Sequence, residues 1–346
     1  MPQPVQLSSR LQALFAKTKL VCFGRYALEV PQEAQLIMGF IGVPSPVDVN
    51  KGDMAAIKVR VAADIAKIKW DDATAEIKYN GNGPVEESWQ IRYYTDKFAK
   101  KYDSLFFRTY VQKRDLTFVY GGAIRDRNDN EESAVARQKT LASHLRLRDP
   151  DEVPDIPGFC IEHGFIYEKS YSDQETASAG IYLPSLPDVT FSMSSNKNAY
   201  GDYPPAEYEL MRAELSLLNR IEGAKKAQGM HYPNRTLLRE GKRDVQHWHG
   251  EESLIRRADG VHDFEWALVG TPRDVANPSD FGVTMFTKVE HNTVGAAKFA
   301  SVSDDEAVAL WDKLLSGLKF RVKVPGAPEG SYFIDPDKPS TPVTGP

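Results

Sequence analysis

Apolar and polar residues alternate along this chain with two different periods, and the switches between them outline its elements. Residues 20–31, Leu-Val-Cys-Phe-Gly-Arg-Tyr-Ala-Leu-Glu-Val-Pro, read as a strand ended by proline, which has no N–H to give to a ladder. From 53 to 69 the period becomes helical, placing Ile57, Val61, Ile65 and Ile68 on one face. Residues 104–111 and 116–120 predict a hairpin joined through the polar run 112–115, and 131–148 predicts an Ala- and Leu-rich helix.

The same order then recurs. Residues 158–167 read as an opening strand, and 205–226 as one long amphipathic helix with Leu210, Leu217, Leu218 and Ile221 along one side. Strand-like stretches follow from Arg235, Val245, Ser253, Phe264 and Gly282. A closing helix starts at Ser303, with Glu306 completing a capping box and Val308, Trp311, Leu314, Leu315 and Leu318 forming an apolar stripe. Between the two series, residues 148–157 hold three prolines and four acids, the composition of an extended, solvated connector. The reading is therefore an α+β protein of two similar domains, each an antiparallel sheet covered on one face by helices. Their bounds are 18–149 and 158–323, with a linker at 150–157 and a Pro-rich, loose tail at 324–346, where six prolines fall in 23 residues.

Length and composition agree with that division. The 346 residues suit two domains, and 41% hydrophobic with 26% charged residues excludes a disordered, collagen-like or coiled-coil chain. No apolar run approaches the roughly 20 residues of a membrane span, so no integral membrane segment is expected. A net charge of −5 does not suggest nucleic acid as a partner. The first ten residues contain no apolar stretch of the kind an export signal needs. Two cysteines, Cys22 and Cys160, are too few for a four-thiolate zinc site. One lies in each opening strand, and they can form a single disulfide in an oxidising compartment or remain two buried thiols.

Catalytic signatures are missing. There is no GxSxG elbow, no GxxxxGK[ST] loop, no HExxH helix and no GxGxxG turn. Residues 126–130 imitate the start of a calcium loop, but Glu131 and Arg137 stand where glycine and a bidentate acid are needed, so a polar turn before a helix is the better reading. His247 and His249 flank Trp248, and with His262, Asp263 or Glu251 they offer one alternative function, a metal-dependent enzyme. Solvent-facing histidines around a core tryptophan explain the same letters, and no metal or cofactor is assigned. The Arg/Lys pairs at 100–101, 225–226 and 256–257 read as solvated faces. The polar stretch 194–205 is a loop presenting Tyr200 and Tyr203, a composition suited to binding another protein.

Residues 18–31, with their cysteine, glycine, arginine and closing Val-Pro, resemble the start of immunity proteins that guard bacteria against type VI secretion lipase effectors, the two-domain Tli-type family. Residues 157–167 resemble the opening of that family's C-terminal domain, and with the element order the likeness spans 18–322. The resemblance implies a claw-like protein without catalytic site or cofactor, a monomer when free and located in the periplasm. Its partner would be a cognate secreted phospholipase, neutralised by stoichiometric blockade of the active-site entrance or lid; an effector-binding adaptor is the other non-enzymatic reading. Tyr200, Tyr203, Trp89 and Tyr93 are the candidate partner anchors, because aromatic side chains in or beside expected loops are the usual centres of such interfaces.

Overall fold

The computed structural model describes residues 6–124, 129–288 and 299–338. The chain opens with helix α1 (Ser9–Leu14), strands β1 (Thr18–Phe23), β2 (Tyr26–Pro31), β3 (Gln35–Gly42) and β4 (Val47–Lys51), and helix α2 (Met54–Asp71). Strands β5 (Glu76–Asn82) and β6 (Ser88–Tyr94) lead through α3 (Lys97–Lys101) to β7 (Phe106–Lys113), β8 (Leu116–Ala123), α4 (Glu131–His144) and β9 (Leu145–Leu147). Next come β10 (Gly158–Ile161), β11 (Gly164–Tyr167), β12 (Thr176–Tyr182), β13 (Thr190–Asn196), α5 (Pro205–Leu215) and α6 (Leu217–Gln228). The last elements are β14 (Arg235–Val245), β15 (Trp248–Arg257), β16 (His262–Leu268), β17 (Asp280–Phe286), α7 (Asp304–Ser316), β18 (Leu318–Val322) and β19 (Tyr332–Ile334).

It is an α+β protein with several antiparallel sheets and helices, but its two compact units are not two contiguous halves. Residues 41–150 and 158–173 form one unit, and the segments before, between and after them form the other. The reason lies in the two openings, each a hairpin where the sequence suggested a single strand. In the first, Gly24 at φ +52° and Arg25 make the turn between β1 and β2. Strand β2 then pairs antiparallel with β18, Leu28 opposite Leu318 and Tyr26 opposite Phe320. In the second, β10 and β11 pair together and β11 joins β9. Each opening hairpin therefore belongs to a sheet closed by a segment that ends the expected domain before it or after it.

In the unit of residues 41–150 and 158–173, the larger sheet has the order β4-β8-β7-β6-β5. Alternation along its strands produces two apolar faces rather than one. Ile91, Tyr93, Tyr110 and Val119 pack with Ile57 and Val61 of α2, while Phe107 on the other face packs with Ala134 of α4. Thr109 donates to Gln138 Oε1 at 2.9 Å and Tyr120 donates to its carbonyl at 2.9 Å, so α4 is also tied down by hydrogen bonds. The sheet is covered on both faces, where covering of one was expected. Asn130 caps α4 by accepting from the Ser133 N–H; residues 125–128 lie outside the described residues. The helix stops at His144, short of 148, because Leu145 to Leu147 pair with β11.

The other unit is built on a seven-stranded sheet, β14-β15-β16-β17-β13-β12-β3. One face is dense. Phe191, Met193, Phe264, Trp266, Val283 and Met285 are buried there, with Trp311 of α7 against Phe191 and Phe264. The β1–β2 hairpin joins the same core, Tyr26 lying 4.7 Å from Phe281 and 5.3 Å from Phe320 between ring centroids. Helix α7 keeps its capping box at Ser303 and Glu306, and Leu318 already belongs to β18. Ser303→Ala removes the side-chain acceptor for the Glu306 N–H, and equilibrium urea unfolding should show a loss of about 1 kcal/mol. The tail is not loose at its start, since β19 pairs parallel with β18; residues 339–346 lie outside the described residues. The single long helix expected at 205–226 is two helices, because Ser216 adopts an extended ψ of 146° between them, and Leu210 is left 77% exposed.

Candidate partner-binding groove

The second face of the seven-stranded sheet holds small residues in register. Ser178, Ser194, Gly282 and Ala267 stand opposite one another across β12, β13, β17 and β16. The next row on that face is Gly180, Ser192, Thr284 and Glu265. Alternation sends these side chains away from the core occupied by Met193, Val283 and Trp266. Gly39 on β3 extends the floor, and a Cβ there would come within 2.5 Å of Ser178 Oγ. A groove of about 560 Å³ results.

Larger side chains make its walls. Ile37 and Met38 rise from β3, Leu215 and Arg220 come from α5 and α6, and Tyr200 comes from the loop after β13. Arg220 pairs with Glu265 at 2.8 Å, both partly exposed. Asp280 opens β17 beside them, and its carboxylate has no hydrogen bond or ion pair among the described residues. Lost hydration between the groove walls pushes the Asp280 pKa up; Arg220 opposes that shift and Glu265 adds to it. The hydroxyls of Ser192, Ser194 and Thr284 likewise make no hydrogen bond among the described residues. This is a surface with free hydrogen-bonding capacity and a surplus negative charge, and it holds no nucleophile–base pair.

Of the four aromatic anchors expected from sequence, only Tyr200 lines this groove. Tyr203 is half exposed, its ring 6.3 Å from that of Tyr200. Trp89 and Tyr93 lie within β6, one residue from either end, and not in the loops themselves. They share a strand face with Ile91 toward α2, where Tyr93 is a buried core residue of the other unit and Trp89 is a partly buried one packed against that core. Trp89 also donates to Asn80 Oδ1 at 2.7 Å. Sequence reading passed over Trp70 at the end of α2, 88% exposed, because it falls within a helical pattern whose apolar face is already filled. It also passed over the groove, whose only sequence signal is serine, glycine and threonine at every second position of three strands.

The histidines do not assemble. His247 sits in the β14–β15 turn, within 2.9 Å of the Ala276 carbonyl, and burial lowers its pKa. His249 is exposed and pairs with Asp244, while His262 is buried between Thr287 and Asp304. No group of three metal-ligating side chains occurs among the described residues, and no helix among them is long and apolar enough to cross a membrane. Neither cysteine is a free thiol; both are disulfide-bonded.

Comparison with known proteins gives a consistent answer. Residues 19–148 match the model for the Tle cognate immunity protein 4 N-terminal domain, and residues 152–323 match that for its C-terminal domain. Among solved structures, the chain is similar to the immunity protein TplEi of the type VI secretion system (T6SS) from Pseudomonas aeruginosa. In complex with "L" peptide that protein is 23% identical, with 88% of this chain and 98% of that chain covered and a TM-score of 0.64; its apo structure is 24% identical, with 88% and 97% covered and a TM-score of 0.66. The Tle4–Tli4 complex contains a chain 24% identical, with 88% of this chain and 98% of that one covered and a TM-score of 0.68. At these identities the likeness is one of fold. None of the curated proteins matches. With both domain models matched in order, this chain belongs to the Tle cognate immunity protein 4 family, and it is an immunity protein rather than an enzyme.

Proposed function

We propose that this chain neutralises a cognate type VI secretion lipase effector by binding it stoichiometrically and blocking its active-site entrance or its lid. The observation that carries the reading is the match to both family domains, in order, over residues 19–323. The solved Tle4–Tli4 complex supports it, since there a chain of the same fold is held with its Tle4 partner. Blockade needs shape and area rather than reactive groups. A stable, specific interface buries about 1,600 Å², and the claw of two domains that the family resemblance implies is the source proposed for it. The free protein is taken to be a monomer.

A periplasmic location and a Cys22–Cys160 disulfide belong to the same proposal. They support each other, because disulfides persist in oxidising compartments and are rare in reducing ones. Maleimide labelling of protein isolated from the periplasm without reductant should detect no free thiol.

The function itself is tested by titration. Purified protein added to the cognate lipase on a phospholipid substrate should reduce hydrolysis linearly, reaching zero near one equivalent. Full activity at tenfold excess would remove the reading, and a stable complex with an active lipase would make the protein an adaptor instead.

A further inference from the structure

We propose that the groove on the seven-stranded sheet receives an extended segment of the lipase effector, one presenting a lysine or arginine to Asp280 and apolar side chains to Ile37 and Met38. The inference rests on the function proposed above and assigns part of the binding to a surface contained in one unit.

Charge complementarity selects the occupant. The groove is lined by two acids, Asp280 and Glu265, and one cation, Arg220, which pairs with Glu265. Asp280 feels Arg220 only at a distance and makes no ion pair of its own among the described residues, and a cation from outside would supply one. Apolar surface lies at the rim, where Ile37 is 58% exposed on β3 at the sheet edge. The floor explains why the segment is extended. Where residues no larger than serine and threonine pave neighbouring strands, a partner's main chain can approach closely, and the Ser192, Ser194 and Thr284 hydroxyls are available to its N–H and C=O groups. Strands are spaced about 4.8 Å apart, so four of them span about 14 Å, the length of roughly four extended residues.

Two variants and one probe test this with the full chain and the cognate lipase. Ser194→Trp fills the floor and Asp280→Lys reverses the charge; both side chains face the groove, so the melting temperature should stay within a few degrees of the parent. Titration calorimetry should show lipase affinity weakened at least 100-fold by the first and at least tenfold by the second. Independently, a Ser194→Cys thiol should react with maleimide in the free protein and be protected once lipase is bound. If both variants bind as tightly as the parent, or if the thiol labels equally fast in the complex, the groove is not the contact surface and only this inference falls. If the parent protein itself does not bind the lipase, the proposed function falls and takes the inference with it.

Discussion

Replacing Glu175 with glutamine is expected to destabilise the unit built on the seven-stranded sheet by roughly 3–5 kcal/mol, enough to unfold many proteins outright. Glu175 lies just before β12 and accepts from Arg25 Nε at 2.7 Å and Nη2 at 2.5 Å. Lys197, just after β13, reaches the same carboxylate at 3.4 Å. All three side chains are less than a tenth exposed. Removing the one negative charge leaves two buried cations without it, and the low local dielectric that made the attraction strong makes that loss severe. Arg25 forms the tip of the β1–β2 hairpin, so the same change loosens the hairpin from the sheet. Trp248, Trp266 and Trp311 all lie in that unit's core, so their fluorescence during guanidinium unfolding reports the effect. A midpoint within error of the parent would show that the triad contributes nothing net.

That triad also shows what was and was not legible in the sequence. Cysteine, glycine and arginine in 20–31 carried the family resemblance, and each has a distinct physical role. Cys22 is disulfide-bonded, Gly24 takes a left-handed φ, and Arg25 holds a buried carboxylate. The strand reading of 20–31 missed the turn because its only breaks, Gly24 and Arg25, are two residues between apolar runs, and Arg25 is itself buried against Glu175, a partner 150 positions away. In 158–167 the turn is marked by Glu162 and His163, both polar and exposed, but two polar residues inside a short apolar run fit a strand as well as a turn. Helices with one apolar stripe were easier: α2 and α7 start where expected because local periodicity and caps decide them, though α7 ends at Ser316, before Leu318. The break at Ser216 was hidden, since serine is compatible with a helix and only packing, with Glu251 accepting from the Leu218 N–H at 2.9 Å, favours the second start.

The groove was the least legible feature. Tyr200 could be singled out by composition, whereas Trp89 and Tyr93 were chosen for being aromatic near expected turns, and burial under α2 removes Tyr93 from any partner's reach. The floor depends on register, with Ser178 opposite Ser194 and Ser194 opposite Gly282. Those residues are sixteen and eighty-eight positions apart, and no local pattern announces that they will be neighbours. Small polar residues at alternate strand positions read as an ordinary solvated face until three strands bearing them are aligned.

Trp311→Ala should destabilise the same unit by about 3–5 kcal/mol, while Trp311→Phe should lose about 1–3 kcal/mol, and the difference separates packing from hydrogen bonding. The indole is fully buried, edge-on to Phe191 and Phe264 with both centroids at 5.9 Å. Its Nε1 donates to Glu252 Oε2 at 3.2 Å, and Glu252 in turn accepts from Arg239, which also holds Asp312 of α7. Alanine opens a large cavity beneath α7 and deletes the donor; phenylalanine keeps a six-membered ring against Phe191 and Phe264 and loses the donor with a smaller volume. Arg239 still satisfies Glu252 in the phenylalanine variant, which is why its loss stays small. If guanidinium unfolding instead places phenylalanine level with alanine, the charged network under α7 and not the apolar stripe read from the sequence is what holds that helix to the sheet.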